Sequence, residues 1–351
     1  MKRDKLKKII KVGSVAIGGD NPVVIQSMTN TKNSNIEATT AQIEALAKEG
    51  CQIVRLAFCN VSEVEPLKKI IANSKVPLVA DIQFDYKLAV IAPDIGFSGI
   101  RFNPGNIGNE AKVAEVVASA KANKTPIRIG VNLGSLEKEI EKQYGRTAEA
   151  LAISCLNHVT ILEKHGFNDI VLSVKASDAK TTIEANRILH KKSDYPLHVG
   201  VTESGSGRYG TVKSAVGIGT LLADGIGDTI RVSLTGDPVK EIAVAKIILQ
   251  VTGCHAKGVE IISCPTCARC SMDLSFLANE IKHFTKDMET SIKIALMGCV
   301  VNGPGEAKDA DIALCGGNDG MCVLYEKGVK VKVVGVDYAI PWLKRLIKKL
   351  H

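Results

Sequence analysis

The residues best equipped for chemistry are cysteines. Ten occur in the 351 residues, and six of them follow residue 258: Cys264, Cys267, Cys270, Cys299, Cys315 and Cys322. The first three form a C-x2-C-x2-C run, Cys264-Pro-Thr-Cys267-Ala-Arg-Cys270. Thiolates at this spacing can be turned onto one metal centre. A zinc site calls for a second C-x2-C or a pair of histidines. Neither is present, since Cys315 and Cys322 have six residues between them and His255 and His283 stand at no ligand spacing. An iron–sulfur cluster matches the run better, although no C-x3-C-P follows it. The C-x3-C-x2-C spacing of radical adenosylmethionine chemistry is absent. The second half of the constellation runs from Met297 to Glu306, MGCVVNGPGE. Here Cys299 is expected at a strand end, with Gly303-Pro304-Gly305 bending the chain so that Glu306 turns back toward it. A Glu306 that is merely solvated is the competing reading. Cys51, Cys59 and Cys155 stand alone in apolar surroundings and read as small core residues.

A second set of reactive types is cationic. Arg55, Arg101, Arg128, Lys175 and Arg231 each interrupt or close a short apolar run and are read with its C-terminal end, in company with Gln26, Ser27, Asp81, Asn103, Asn132, Glu203 and Ser233. Five like charges gathered at one place repel unless an anion compensates them. Asp81 and Glu203 are too few. Guanidinium forks suit a diphosphate, and salt bridging within the protein is the alternative use of the same charges.

What must position these residues is an alternation of apolar runs and amphipathic stretches. The runs are Val23–Met28, Ile53–Phe58, Pro77–Ile82, Gly99–Asn103, Ile127–Asn132, Ile170–Lys175, Leu197–Glu203 and Thr229–Leu234. Helical periodicity is expected over Ile36–Glu49, Ser62–Ala72, Tyr86–Ala92, Asn109–Ala122, Thr147–His165, Asp178–His190, Thr211–Ala223 and Pro238–Val251. Eight strands alternating with eight helices predict an α/β fold, a (β/α)8 TIM barrel whose active site lies at the C-terminal strand ends. A doubly wound open sheet is the rival. It would more often carry a phosphate-binding glycine loop after the first strand, and Gln26–Thr31 is not one. After Val251 the alternation stops. The expected division is a barrel over 1–251, a linker over 252–258 and a small α+β iron–sulfur domain over 259–351. Its strands are expected at Val259–Ser263, Ile292–Met297, Asp311–Leu314, Val323–Tyr325 and Val329–Val334, and its helices at Leu274–Lys286 and Tyr338–Leu350.

Composition narrows the function classes. Lys plus Arg is 45 and Asp plus Glu 37, a net charge of +8. With 4% aromatics and no nucleic-acid motif, the excess charge reads as solvated faces rather than a nucleic-acid surface. No apolar run reaches the roughly 18 residues of a membrane helix, and the basic N-terminus lacks a secretory apolar region. The expected location is the cytoplasm, where ten cysteines are more consistent with metal binding or burial than with disulfides.

Several segments together resemble the 4-hydroxy-3-methylbut-2-enyl diphosphate synthase family of the non-mevalonate isoprenoid route. They are Gln26–Thr31 (QSMTNT), Arg101–Gly108 (RFNPGNIG), Ile129–Asn132 (IGVN), Ser173–Asp178 (SVKASD), Gly225–Ser233 (GIGDTIRVS), Cys264-Pro-Thr-Cys267 and Gly298–Glu306. The resemblance spans nearly the whole chain, with uncommon motifs in the family's order. It implies reductive ring opening and dehydration of 2-C-methyl-D-erythritol 2,4-cyclodiphosphate, in the compact two-domain bacterial form without the extra middle domain of the plant form. It also implies a [4Fe–4S] cluster held by Cys264, Cys267, Cys299 and Glu306, with flavodoxin or ferredoxin as electron donor. Substrate contacts are expected from Arg55, Arg101, Asn103, Arg128, Asn132, Lys175, Arg231, Ser233 and, beside the cysteines, Arg269. Glu203 and Asp81 are the expected catalytic residues, Glu203 as proton donor to the departing hydroxyl.

Two positions depart from the family pattern. Cys270 stands where no cysteine is required and reads as a non-ligand. Gln83 replaces the family's usual histidine in Asp81–Asp85 (DIQFD), and an amide carries no proton near neutral pH. Topology adds an expectation about assembly. A last barrel helix ending near Val251 delivers the chain to the face opposite the mouth, and a seven-residue linker spans at most about 25 Å. A head-to-tail homodimer, each cluster domain capping its partner's barrel, resolves this. Two other classes remain on the residues alone: a barrel transferase for a pterin or phosphorylated substrate with a structural metal domain, and a non-catalytic iron–sulfur carrier.

Overall fold

The computed structural model describes residues 8–103, 110–254, 258–286, 288, 290–301 and 303–350. Pro104–Gly108 of the RFNPGNIG motif, the first residue of the helix expected from Asn109, and Asn302 therefore lie outside the described residues. The chain divides into two compact units, residues 1–254 and 255–351.

The first unit opens with a hairpin, β1 (Ile10–Val12) and β2 (Val15–Ile17), turning at Gly13 with φ +56°. Then come β3 (Val24–Met28), α1 (Ile36–Lys48), β4 (Ile53–Ala57), α2 (Val64–Asn73), β5 (Leu78–Asp81), α3 (Tyr86–Asp94), β6 (Gly99–Phe102) and α4 (Glu110–Ala122). β7 (Ile127–Asn132) leads into a short α5 (Lys138–Tyr144) and then α6 (Ala148–Lys164). The unit ends with β8 (Ile170–Lys175), α7 (Ala179–Lys192), β9 (His198–Val199), α8 (Gly207–Ala223), β10 (Thr229–Ile230) and α9 (Val239–Val251). All eight strands from β3 to β10 pair in parallel, in the spatial order β8-β7-β6-β5-β4-β3-β10-β9. A parallel bridge from Leu172 to Leu197 joins β8 to β9 and closes the ring. The expected barrel is the observed one. Its last two strands, ending at Val199 and Ile230, are shorter than their apolar runs suggest.

Strand parity decides what this barrel can do. Ile100, Phe102, Ile127, Ile129, Val131, Ile170, Leu172 and Val174 face the helices and are fully buried in one apolar cluster. The alternate residues, including Arg101, Arg128, Asn132, Ser173 and Lys175, face inward and line a cavity. Along each strand the helix-facing half supplies the burial that stabilises the ring, which leaves the inward half free for polar residues. At the N-terminal end of the strands, Val12 and Ile17 of the hairpin join Val24, Ile53 and Val79 in a separate apolar plug. The sequence reading did not foresee the hairpin, since two three-residue strands carry too short a pattern to register. Its effect is to close one end of the barrel, so that polar chemistry is confined to the other.

Helix starts fall just past the functional strand ends. The Asp178 carboxylate accepts the Thr181 N–H at 2.7 Å and caps α7, so the chain leaves the mouth three residues after Lys175. Asp237 accepts the Val239 N–H at 3.0 Å at the start of α9.

The second unit is a five-stranded sheet with helices. Its elements are β11 (Glu260–Ser263), α10 (Leu274–Thr285), β12 (Lys293–Met297), α11 (Gly303–Lys308), β13 (Ile312–Gly316), β14 (Met321–Glu326), β15 (Val329–Gly335) and α12 (Val336–Leu350). The order is β11-β12-β13-β14-β15, the first three parallel and the rest antiparallel. Leu277, Ile281, Leu343 and Ile347 of α10 and α12 cover one face. One expectation is corrected here. Gly303-Pro304-Gly305 does not make a tight bend but begins α11, placing Glu306 in its first turn. Proline is at home there, because the N–H it lacks has no partner within the helix.

Candidate functional site: a cationic barrel mouth and a cysteine-rich strand end

The inward residues at the C-terminal strand ends enclose a cavity of about 180 Å³, lined by Arg55, Asp81, Gln83, Arg101, Arg128, Asn132, Ser135, Ser173, Lys175, Thr202, Arg231 and Ser233. Nine of the residues singled out from sequence thus meet in one place. Asp81 sits among the cations, 3.0 Å from Arg101 Nη1 and 3.7 Å from Arg55 Nε. Burial pushes its carboxyl up, but the guanidiniums of Arg55, Arg101 and Arg128 outweigh that and hold it below its ordinary value.

The second compensating carboxylate is not the expected one. Glu203 is exposed and lines a neighbouring cavity of about 450 Å³ with Gln83, Phe84, Asn132, Arg146, Ser177 and Thr202. Instead Glu241, from the first turn of α9, reaches beneath Arg231 at 3.6 Å. It accepts hydrogen bonds from Ser27 Oγ at 2.9 Å and the Leu234 N–H at 3.0 Å. Five cations therefore face two carboxylates, an imbalance that a doubly charged anion would largely cancel.

The donors are held ready but poorly satisfied. Arg55 points Nε and Nη2 at the Met28 thioether, at 3.2 and 3.0 Å, and Arg231 Nη1 lies 3.7 Å from the same sulfur. A thioether is a weak acceptor, so an anion would replace it gainfully. Arg128 donates Nη1 to Gln26 Oε1 at 2.6 Å, while its buried Nε has no hydrogen-bond partner among the described residues. Burial, then the charges of Arg55 and Arg101, make the Arg128 charge costly and pull its pKa far down. Burial does the same to Arg55, to about 10.

Lys175 Nζ lies 3.0 Å from His198 Nε2, and His198 Nδ1 lies 2.6 Å from Thr229 Oγ1. Gly200 makes room for this amine: a Cβ there would fall 3.1 Å from Lys175 Nζ and 2.4 Å from the Arg231 carbonyl oxygen. Asn103 lies outside the cavity lining; its buried amide donates to the Ser135 carbonyl at 3.4 Å and steadies the loop that carries Ser135. Gln83 donates Nε2 to Asp81 Oδ2 at 3.2 Å. Sequence reasoning missed Met28, His198 and Glu241 as members of this site. Period-two parity would have found the first two, which share an inward face with Gln26 and Gly200. Glu241, on a helix, carried no such signal.

In the second unit, Cys264 follows β11 directly and Cys299 lies two residues past β12, its parallel neighbour. The Cys264 N–H donates to the Leu296 carbonyl at 3.1 Å, and the Gly298 N–H points at Cys264 Sγ at 3.3 Å. Cys267 is exposed on the following loop, in which Thr266 takes φ +54°. Arg269 is exposed on the same loop. Glu306 is exposed in α11. Cys270 turns inward, donating to the Met272 carbonyl at 3.2 Å, and occupies the space a Gly298 side chain would need. Cys315 and Cys322 are buried, and burial pushes the Cys315 thiol up to about 12. Among the described residues no three His, Cys, Asp or Glu side chains close on a point as a single ion requires. A cluster of several irons and sulfides needs wider spacing between its ligands than a mononuclear ion does.

Comparison with known proteins decides the family. Residues 7–246 match the GcpE TIM-barrel domain and residues 260–349 the GcpE protein C-terminal domain. The chain belongs to the GcpE family. It is 50% identical over 351 residues to the 4-hydroxy-3-methylbut-2-en-1-yl diphosphate synthase (flavodoxin) of Caldanaerobacter subterraneus subsp. tengcongensis, covering 100% of this chain and 99% of that one. It is 50% identical to the Clostridium perfringens protein of the same name over the full length of both chains. The Geobacter sulfurreducens relative, also so named, is 51% identical over 347 residues, covering 97% of this chain and 98% of that one. Among solved structures, dihydropteroate synthase from Stenotrophomonas maltophilia superposes with a TM-score of 0.50 at 14% identity, over 69% of this chain and 97% of that one. That likeness is one of barrel fold alone. Among the described residues no helix is long and apolar enough to cross a membrane.

Proposed function

We propose that this protein carries out the reductive ring opening and dehydration of 2-C-methyl-D-erythritol 2,4-cyclodiphosphate to 4-hydroxy-3-methylbut-2-enyl diphosphate, in the cytoplasm. The observation that carries the reading is the barrel mouth of a GcpE-family chain, with Arg55, Arg101, Arg128, Lys175 and Arg231 against only Asp81 and Glu241. Each charge-assisted hydrogen bond to the diphosphate contributes about 1.5–3 kcal/mol. The Met28 thioether facing Arg55 and Arg231 and the Gln26 amide facing Arg128 are partners that an anion would easily displace. Asn132, Ser173, Thr202 and Ser233 supply neutral donors around the same volume. Gln83, Asn132, Ser135 and Thr202 border both cavities. The diphosphate then occupies the inner one while the carbon skeleton faces Glu203 in the outer.

Glu203 is the proton donor in this reading. It adopts φ +51°, a left-handed conformation seldom held by a non-glycine residue without a reason. The turn is fixed behind it by Ser204 Oγ donating to the Val201 carbonyl at 3.0 Å and Ser214 Oγ donating to Ser204 Oγ at 3.0 Å. Gln83 holds Asp81 in place and carries no proton, so Asp81 serves here by orienting Arg55 and Arg101.

Cys264, Cys267, Cys299 and Glu306 would hold a [4Fe–4S] cluster. The donor set fits: Cys264 Sγ already accepts the Gly298 N–H, Cys267 is exposed, and Glu306 stands in the first turn of a helix. When bound, the cluster supplies two electrons one at a time and a Lewis-acidic iron with an exchangeable carboxylate ligand. Cys270, turned inward, is left out of the set. Flavodoxin, named in the relatives' description, or ferredoxin would deliver the electrons.

The assembly that fits is a head-to-tail homodimer with two-fold symmetry. α9 runs away from the mouth, and only residues 252–259 separate it from β11. Tyr209, Val212 and Val216 on α8, with Ile247 and Val251 on the adjacent α9, are exposed and apolar, as a contact face between copies would be. A sedimentation profile showing a fully active monomer rejects this assembly.

The deciding experiment is anaerobic purification, iron and sulfide analysis, and incubation with the cyclodiphosphate and a low-potential reductant. Formation of the linear diphosphate is the expected result. Iron-loaded protein that leaves the substrate unchanged rejects the reading. Glu203→Gln, with normal iron content, is expected to lose turnover; retained turnover removes Glu203 from proton transfer.

A further inference from the structure

Among the described residues, Lys175 and Arg128 are the mouth cations without an ion-paired carboxylate, and of the two only the lysine can lose a proton. Arg55 and Arg101 face Asp81, and Arg231 faces Glu241. Among the described residues no carboxylate lies within ion-pair distance of Lys175. The polar partner shown for it is His198 Nε2 at 3.0 Å, on a ring whose other nitrogen is engaged by Thr229 Oγ1. The amine is buried, and Gly200 walls it so closely that no solvent layer fits on that side. The charged and titratable groups around it come from every side of the ring. They are Arg55 on β4, Asp81 on β5, Arg101 on β6, Arg128 on β7, His198 on β9, Arg231 after β10 and Glu241 on α9.

Four of these neighbours are guanidiniums, which do not surrender a proton at ordinary pH. A cluster with excess positive charge relaxes through the group that can lose one, and that group is the lysine. The Lys175–His198 contact allows two arrangements. A charged ammonium can donate to a bare His198 Nε2, with Nδ1–H donating to Thr229 Oγ1. A neutral amine can instead accept from Nε2–H, with the Thr229 hydroxyl donating to Nδ1. The pair therefore accommodates one proton more or less without moving a heavy atom.

We propose that Lys175 is neutral in the ligand-free mouth and takes one proton from solvent when the diphosphate binds, with His198 as the positioning residue that supports both states. The proposal rests on the diphosphate reading of the mouth. The step balances simply: amine plus a proton from bulk buffer gives ammonium, and the incoming negative charge makes the change favourable. Burial first, then the charges of Arg128, Arg231, Arg55 and Arg101, draw the Lys175 amine well below its ordinary range, in agreement with the geometry. His198 is drawn down as well, by burial and then by Lys175, so the ring stays neutral and available as an acceptor.

The cyclodiphosphate is a clean probe, because each of its phosphorus atoms carries one ester, the shared anhydride bridge and a single strongly acidic hydroxyl, so neither titrates near neutral pH. Its binding to anaerobic, cluster-loaded protein without reductant is measured by calorimetry in buffers of different ionisation enthalpy. Wild type is expected to take up on the order of one proton per barrel, with affinity falling up to tenfold per pH unit as pH rises through the mildly alkaline range. Lys175→Arg, already charged, is expected to bind with little uptake and a flat profile. His198→Gln is expected to retain uptake, and His198→Leu to move the affinity profile to lower pH by about one unit, the scale of one lost hydrogen bond. Binding by wild type without proton uptake overturns the proposal, whatever the variants do, and leaves the diphosphate reading standing. Absence of any binding overturns both.

Discussion

The Arg101 guanidinium lies directly on Gly130: a Cβ at that position would stand 2.3 Å from Arg101 Nε, and Arg101 Nη2 donates to the Gly130 carbonyl at 3.2 Å. β7 is bare at its middle so that the Arg101 guanidinium, from the neighbouring β6, can lie over it while Nη1 holds Asp81 on β5, the strand on the other side. The backbone of Gly130 needs no left-handed freedom; the requirement is space alone. Gly130→Ala is therefore expected to fold, to displace Arg101 from its 3.0 Å contact with Asp81, and to weaken substrate binding. Loss of one charge-assisted bond at about 1.5–3 kcal/mol corresponds to a rise in KM of roughly 10–100-fold. Steady-state kinetics on the variant, with circular dichroism to confirm the fold, checks this. An unchanged KM would show that Arg101 does not hold the diphosphate.

Asp81 offers a test of charge balance. Asp81→Asn leaves Arg55 and Arg101 buried without their carboxylate, and breaking a buried pair from one side costs about 3–5 kcal/mol. The variant is expected to melt at lower temperature than wild type. Because the resulting deficit is one of negative charge, inorganic pyrophosphate is expected to raise its melting temperature more than that of wild type, and less so in high salt. Thermal shift titrations of the two proteins side by side measure the difference. Equal shifts would mean that Asp81 is not compensating the cluster.

Much of this site is legible in the sequence because barrel strands obey a strict period of two. Arg101, Arg128 and Lys175 each occupy the inward parity of an otherwise apolar run, and the alternation of runs with helices fixes which end of the strand is the mouth. Contributions that cross between elements follow no such period. Glu241 reaches the mouth from a helix, and Met28 is an apolar residue acting as an acceptor. The β1–β2 hairpin was missed because three residues carry no periodic signal. The bend expected at Gly303–Gly305 became a helix start because proline and glycine favour both, and local composition alone does not decide between them.

The cysteine-rich end predicts a sharp division among five of its six thiols. Cys264→Ser, Cys267→Ser and Cys299→Ser are each expected to lose most bound iron and the visible charge-transfer absorption of the anaerobic protein. Cys270→Ala is expected to keep both, since its thiol already donates inward to the Met272 carbonyl and packs against Gly298. Cys315→Ala is expected to keep iron too, at some cost in stability, because its buried thiol, held up at about 12, is not a thiolate donor at neutral pH. Iron and sulfide counts on the five variants decide the assignment, and iron loss in Cys270→Ala would move that residue into the ligand set.

Behind the mouth, Glu137 and His158 pin the segment that carries Asn132 and Ser135. Glu137 Oε1 lies 2.6 Å from His158 Nε2, and Glu137 Oε2 accepts from Ser154 Oγ at 2.7 Å, both partners being on α6. Burial raises the Glu137 carboxyl, but hydrogen bonds from His158 and Ser154 outweigh it and bring it down to about 2. A carboxyl depressed on folding stabilises the protein above its unfolded pKa of about 4.3. That stabilisation is lost as pH falls from there toward 2, because the unfolded chain then binds the proton first. Urea midpoints measured from pH 7 down to pH 3 are accordingly expected to fall less steeply below pH 4.3 in Glu137→Gln than in wild type. The variant should start from a lower midpoint at pH 7. Parallel curves for the two proteins would show that the pair contributes nothing to acid stability. Release of the segment in the variant should also raise KM for the cyclodiphosphate, since Asn132 and Ser135 border the cavity it occupies.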